Sequence, residues 1–65
     1  MRANMTAARK AKKLTQAQLG ALIGLSKSAI CDIEKGRSNG RVDTWDKLAA
    51  VLKVKADKLR QKDPQ

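Results

Sequence analysis

Histidine, phenylalanine and tyrosine are absent from these 65 residues, and Trp45, Cys31 and Pro64 are each the only residue of their type. Each absence removes a class of function. Without histidine, paired cysteines or a carboxylate cluster, the chain lacks the usual groups for acid–base, nucleophilic or metal chemistry. No enzyme, metal site or cofactor is expected. A lone cysteine cannot close an internal disulfide, which fits a reducing cytosol and leaves the fold without a covalent staple. One aromatic residue gives little to stack on unpaired bases, which speaks against a single-strand RNA reader. No apolar run approaches the ~20 residues of a membrane span. No apolar stretch follows Arg2, as a secretory signal would need, so a cytoplasmic location is expected.

Acidic residues are scarce too. Six Asp and Glu stand against fifteen Lys and Arg, giving a net charge of +9, and Glu34 is the only glutamate. The excess gathers at Arg9 to Lys13 and from Lys53 to Lys62, with Lys27, Lys35, Arg37 and Arg41 between. Such a chain attracts polyanions. Charge alone does not separate DNA from RNA, an anionic membrane or an acidic protein.

The length allows one domain, residues 1–65, with a core over about 5–60. A chain this short buries only ~60% of its unfolded surface, so a compact helical bundle is the economical fold. The candidate core is Leu14, Leu19, Leu22, Ile23, Leu25, Ile30, Ile33, Val42, Trp45, Leu48, Val51, Leu52, Val54 and Leu59. Residues 1–3 and 61–65 read as frayed ends, with Pro64 stopping any last helix. Thr6 to Lys13 is rich in helix formers. Its apolar positions, Met5 and Ala8, are small or flexible, so it is expected to pack modestly.

Thr15 supplies an N-cap and Gln18 completes a capping-box pattern. Leu19, Leu22 and Ile23 follow at helical spacing, and Gly24 suits the position just past a helix end. Ser26 is the next N-cap, and Ile30 and Ile33 carry the stripe of a helix that ends at Lys35-Gly36. Asn39-Gly40 is a turn signal without alternating strands around it, so a helix-to-helix loop is preferred over a hairpin. A fourth helix starts near Asp43 or Thr44, with Trp45, Leu48, Ala49, Val51 and Leu52 as its stripe. A short last helix spans Ala56 to Arg60. The fold class is all-α with five helices.

Thr15 to Glu34 has the layout of two helices crossing steeply at a tight turn. Counting from Gln16, the fifth position must be small where the helices cross, and it is Gly20. The ninth must turn the chain, and it is Gly24. The fourth, eighth, tenth, fifteenth and eighteenth must be apolar, and they are Leu19, Ile23, Leu25, Ile30 and Ile33. At about 100° per residue, Ile30 and Ile33 set the inward direction of the second helix. Ser28, Cys31, Asp32 and Lys35 then point away, with Lys27 at the side. A small polar outer face can enter a DNA major groove. Lys27 and Ser28, in the first turn, reach base edges first. Asp32 either accepts from a cytosine N4 or pairs with Lys27 or Ser28 on its own helix. Cys31 either meets a thymine methyl or stays an idle thiol.

The run LTQAQLGALIGLSKSAICDIEKGRSNGRVDTWDKLAAVLKV resembles the lambda-repressor-like helix-turn-helix family of Cro and phage repressors. The likeness rests on the Leu-Thr-Gln start, Leu19, Gly24, Leu25-Ser26-Lys27, Ile30, Glu34-Lys35-Gly36 and the apolar run Trp45 to Leu52, and it covers about residues 5–60. It implies a five-helix domain with helices two and three as the reading unit. It also implies that Gln16 contacts phosphate and braces the reading helix, and that Arg9 and Glu34 form a partly buried salt bridge. The family often has Ala where Gly20 stands. It often has Pro where Gly40 stands, so a looser Arg37–Arg41 loop is expected.

The first functional expectation is a sequence-specific duplex DNA binder, a transcriptional regulator and more specifically a repressor, associated with the nucleoid. Lys27, Ser28, Asp32 and Cys31 would read bases. Thr15, Gln16, Ser26, Lys35, Arg37, Ser38, Asn39 and Arg41 would hold phosphates, with the backbone at the start of helix two. A homodimer on a pseudo-palindromic operator is implied by family habit, with its face near Val54, Ala56 and Leu59. The second expectation is an antitoxin-like regulator that also binds a partner protein. The short stretch beyond residue 60 offers no wrapping tail and counts against it.

Overall fold

Two hydroxyl side chains start the central helices. The Thr15 hydroxyl accepts the Gln18 amide at 3.1 Å, and the Gln18 side chain accepts the Thr15 amide at 2.8 Å. This reciprocal pair satisfies donors that a helix start leaves open. Ser26 caps the next helix by accepting the Ala29 amide at 3.1 Å. Gly24 and Gly36 end the two helices in the left-handed conformation. The computed structural model describes residues 1–62 and orders the helices as α1 (Ala3–Ala11), α2 (Gln16–Ile23), α3 (Lys27–Lys35), α4 (Val42–Leu52) and α5 (Ala56–Arg60). Among the described residues there is no strand, and the fold is the all-α five-helix domain expected.

The core is built from Met5, Leu19, Ile23, Ile30, Ile33, Trp45, Leu48, Leu52 and Leu59, with Leu14, Leu25, Val51 and Val54 packed partly buried around them. Full burial of one such side chain stabilises by ~1.5–3 kcal/mol. Met5 is fully buried, which corrects the modest packing expected of α1. An unbranched thioether fills a gap between helices that a stiffer side chain would not. Two expected core residues face solvent instead: Leu22 is 60% exposed and Val42 is 71% exposed. In so short a helix, α2 meets α3 and α4 through Leu19, Gly20 and Ile23, leaving Leu22 on the far side. Val42 opens α4 ahead of its buried stripe.

The start of the chain is not frayed as expected. Helix α1 begins at Ala3, and Arg2 is 3% exposed, with its amide donating to the Glu34 carbonyl at 2.7 Å. Gln61 and Lys62 follow α5 and are exposed. The expected end at 63–65, Pro64 included, lies outside the described residues.

Gly20 packs against the backbone of the turn between α2 and α3, at Leu25 and Ser26. Its carbonyl accepts the Leu25 amide at 2.8 Å. A Cβ at this position would fall well inside contact distance of the Leu25 carbonyl oxygen. Here the crossing is too tight for the alanine common in the resembled family. Gly40 has φ +69°, a conformation closed to proline, whose ring holds φ near −65°. Among the described residues, Lys13 and Lys53 are the non-glycine residues with positive φ, at 58° and 60°.

Candidate nucleic-acid interface

Helix α3 presents its polar side outward. Lys27, Ser28 and Lys35 are exposed, Cys31 and Asp32 are half-buried, and Ile30, Ile33 and Glu34 face the core. The four residues expected to read bases thus lie along one helix, with Cys31 a free thiol. Asp32 does not pair with Lys27 or Ser28. Its carboxylate meets Arg37 Nη1 at 3.6 Å, across the end of the helix. The chain turns back there because the Asp32 carbonyl accepts the amides of both Arg37 and Ser38.

Beside the start of α3 lies a concave surface of about 450 Å³. Its floor is the first turn of α2, Thr15 to Ala17, and its walls carry Arg9, Lys10, Lys13 and Lys27. The capping box occupies the amides of Thr15 and Gln18. Those of Gln16 and Ala17 have no acceptor among the described residues. Two amides at the positive end of a helix dipole, ringed by cations, suit a phosphate oxygen. Thr15 is engaged as acceptor and through its amide, so its hydroxyl hydrogen is the part left for an outside acceptor. The Ser26 hydroxyl likewise accepts one amide, that of Ala29, and keeps its hydrogen.

One buried carboxylate, on the inner side of α3, ties the cradle to that helix. Glu34 Oε2 accepts from Arg9 Nε at 2.7 Å. Its Oε1 accepts from the Thr6 hydroxyl at 3.1 Å, from Gln16 Nε2 at 3.2 Å and from Arg9 Nη2 at 3.4 Å. Arg9 Nη1 also donates to the Leu14 carbonyl at 2.8 Å. Arg9 and Gln16 therefore line the cradle while held from behind by α3. The Gln16 amide group keeps a second hydrogen for an outside acceptor.

The α3–α4 loop brings up Arg37, Ser38, Asn39 and Arg41 on the other flank of α3. Arg37, Asn39 and Arg41 are exposed. Three hydrogen bonds hold this loop. The Ser38 carbonyl accepts from Arg2 Nη1 at 2.8 Å, the Asn39 carbonyl accepts from Trp45 Nε1 at 2.8 Å, and the Ser38 hydroxyl accepts the Gly40 amide at 3.3 Å. Between loop and α3 runs a second cleft of about 270 Å³, lined by residues including Leu25, Ala29, Asp32 and Arg41.

Sequence reasoning missed Lys10 and Lys13 as parts of the cradle, and Arg2 behind the loop, although the backbone at the start of α2 was expected to hold phosphate. The charge cluster at Arg9 to Lys13 was the available signal for the first two. Of the expected dimer face, Val54 and Ala56 are half-buried, but Leu59 is fully buried and is core. No helix among the described residues is long and apolar enough to cross a membrane. A family model described as helix-turn-helix matches residues 5–59. No curated protein matches the chain.

Proposed function

The chain belongs to the lambda-repressor-like helix-turn-helix family of DNA-binding transcription regulators, and we propose that it is a sequence-specific reader of duplex DNA whose bound state represses transcription by occupying its site. In this reading α3 enters the major groove, which admits one helix. Lys27 and Ser28 meet base edges first, Lys27 as a donor to guanine O6/N7, with Cys31 and Asp32 a turn further along. The observation that carries the reading is the flanking of that face by the α2 cradle on one side and the α3–α4 loop on the other. Backbone contacts on both sides would fix the helix in register, while the bases between supply specificity.

Gln16, Thr15 and Ser26 serve one strand's phosphates, helped by the Ala17 amide, Lys10 and Lys13. Lys35, Arg37, Ser38, Asn39 and Arg41 serve the other flank. The five cations among these give log K a slope of about −4.5 per half-site against log salt. One module makes a small interface of ~600–1,000 Å², so two copies on a pseudo-palindrome, with half-sites about one turn apart, supply the affinity. The partner is thus double-stranded DNA, bound as a homodimer in the nucleoid. The test is in-vitro selection of bound DNA, followed by gel shift on the selected site and a scrambled version at matched salt. Equal affinity for both would overturn the specific reader, and a selected site without a second half would overturn the dimer.

A further inference from the structure

Arg2 lies far from α3 in sequence yet holds its end. Nη1 donates to the Ile33 carbonyl at 2.7 Å and to the Ser38 carbonyl at 2.8 Å, and Nε donates to the Arg60 carbonyl at 3.0 Å. One guanidinium nitrogen thus ties the last turn of α3 to the loop that follows it. The cation sits at the C-terminal ends of α3 and α5, where helix dipoles favour positive charge. Desolvation, and then the charge of Arg60, lowers its pKa from the ordinary arginine value. The guanidinium also lies over the Trp45 ring, 5.1 Å from its centroid. Trp45 in turn donates to the Asn39 carbonyl at 2.8 Å. Two stacked side chains therefore hold consecutive loop carbonyls, Ser38 and Asn39.

We propose that Arg2 is a positioning residue for DNA binding. Together with Trp45 it sets the path of the α3–α4 loop against the end of α3, so that Arg37 and Arg41 meet phosphates beside the groove that α3 enters. This rests on the DNA-binding reading above. Arg2 itself touches no DNA in this arrangement, since it is 3% exposed and three of its five N–H donors go to internal carbonyls. Lysine cannot replace it. An ammonium is a compact charge on a flexible stem and cannot both lie flat on the indole and reach separated carbonyls through a rigid fork.

The experiment compares Arg2→Lys and Trp45→Phe with the wild type on the selected DNA site, at a temperature where circular dichroism shows each to be folded. Trp45→Phe keeps an aromatic face but loses the donor to Asn39, so it tests the loop if Arg2→Lys does not fold. Each folded variant is expected to bind about tenfold more weakly, with a salt slope smaller by about one and an unchanged base preference. Amide exchange at Arg37 to Arg41 is expected to quicken, while α2 keeps its protection. A folded variant that melts lower but keeps wild-type affinity and slope would make Arg2 a purely structural residue and overturn the proposal. Wild-type protein that fails to discriminate the selected site would overturn the DNA reading itself.

Discussion

Arg9 Nε and Glu34 Oε2 stand 2.7 Å apart, with the two side chains only 12% and 4% exposed. The pair links α1 to α3, and Thr6 and Gln16 close on the same carboxylate from α1 and α2. Removing either partner strands the other charge out of water. Arg9→Met or Glu34→Leu alone is expected to cost ~3–5 kcal/mol, most of the stability of so small a domain. The double variant Arg9→Met with Glu34→Leu is expected to recover a large part of that loss, because no buried charge is left unpaired. Urea unfolding of the four proteins in a double-mutant cycle measures it. Additive losses would show that the two groups are not coupled.

Gly20→Ala sets two effects of opposite sign against each other. Helix propensity favours alanine by ~1 kcal/mol. The added methyl meets the Leu25 carbonyl, which is backbone and cannot rotate away. Overpacking of this kind costs ~1–3 kcal/mol, so the net change is expected to be destabilising. A variant that melts higher than the wild type would show that α2 and α3 move apart at little cost.

Lys13 and Lys53 hold left-handed backbone without being glycine, at φ 58° and 60°. Such a residue carries strain of ~1–3 kcal/mol. Lys13→Gly and Lys53→Gly are both expected to raise the melting temperature. Only Lys13 lines the cradle at the start of α2. Lys13→Gly should therefore lose affinity for a single half-site on every sequence alike, with a salt slope smaller by about one. Lys53→Gly should leave half-site binding unchanged. Equal behaviour of the two variants on DNA would remove Lys13 from the phosphate contacts.

What the sequence made legible was local. Thr15 with Gln18, Ser26 with Ala29, and the glycines that end α2 and α3 act within a few residues, so composition and spacing reveal them. Apolar spacing found most of the core but not its directions. Leu22 follows Leu19 at helical spacing, yet a short helix needs only one side buried. Arg2 shows the other limit. Its acceptors lie on Ile33, Ser38 and Arg60, and nothing local distinguishes it from a solvated arginine. The cradle is a similar case, assembled from a charge cluster on one segment and free amides on the next.

Asp32 is the anion on the outward side of α3, and its partner is Arg37 at 3.6 Å, with side chains 47% and 67% exposed. An exposed pair of this geometry contributes ~0–1 kcal/mol, so Asp32→Asn is expected to leave stability almost unchanged. Its effect on DNA separates two roles. As a partner of Arg37, Asp32 weakens that cation's hold on its phosphate and adds a repulsive charge beside it. Asp32→Asn should then bind more tightly, with a salt slope steeper by about one and the same selected sequence. As a base reader, Asp32 accepts from a cytosine N4, and asparagine would lose discrimination at that position by ~1–3 kcal/mol. Selection repeated with the variant decides between them. The ion pair across the helix end favours the first role, and a selected site altered at a single G·C position would overturn it.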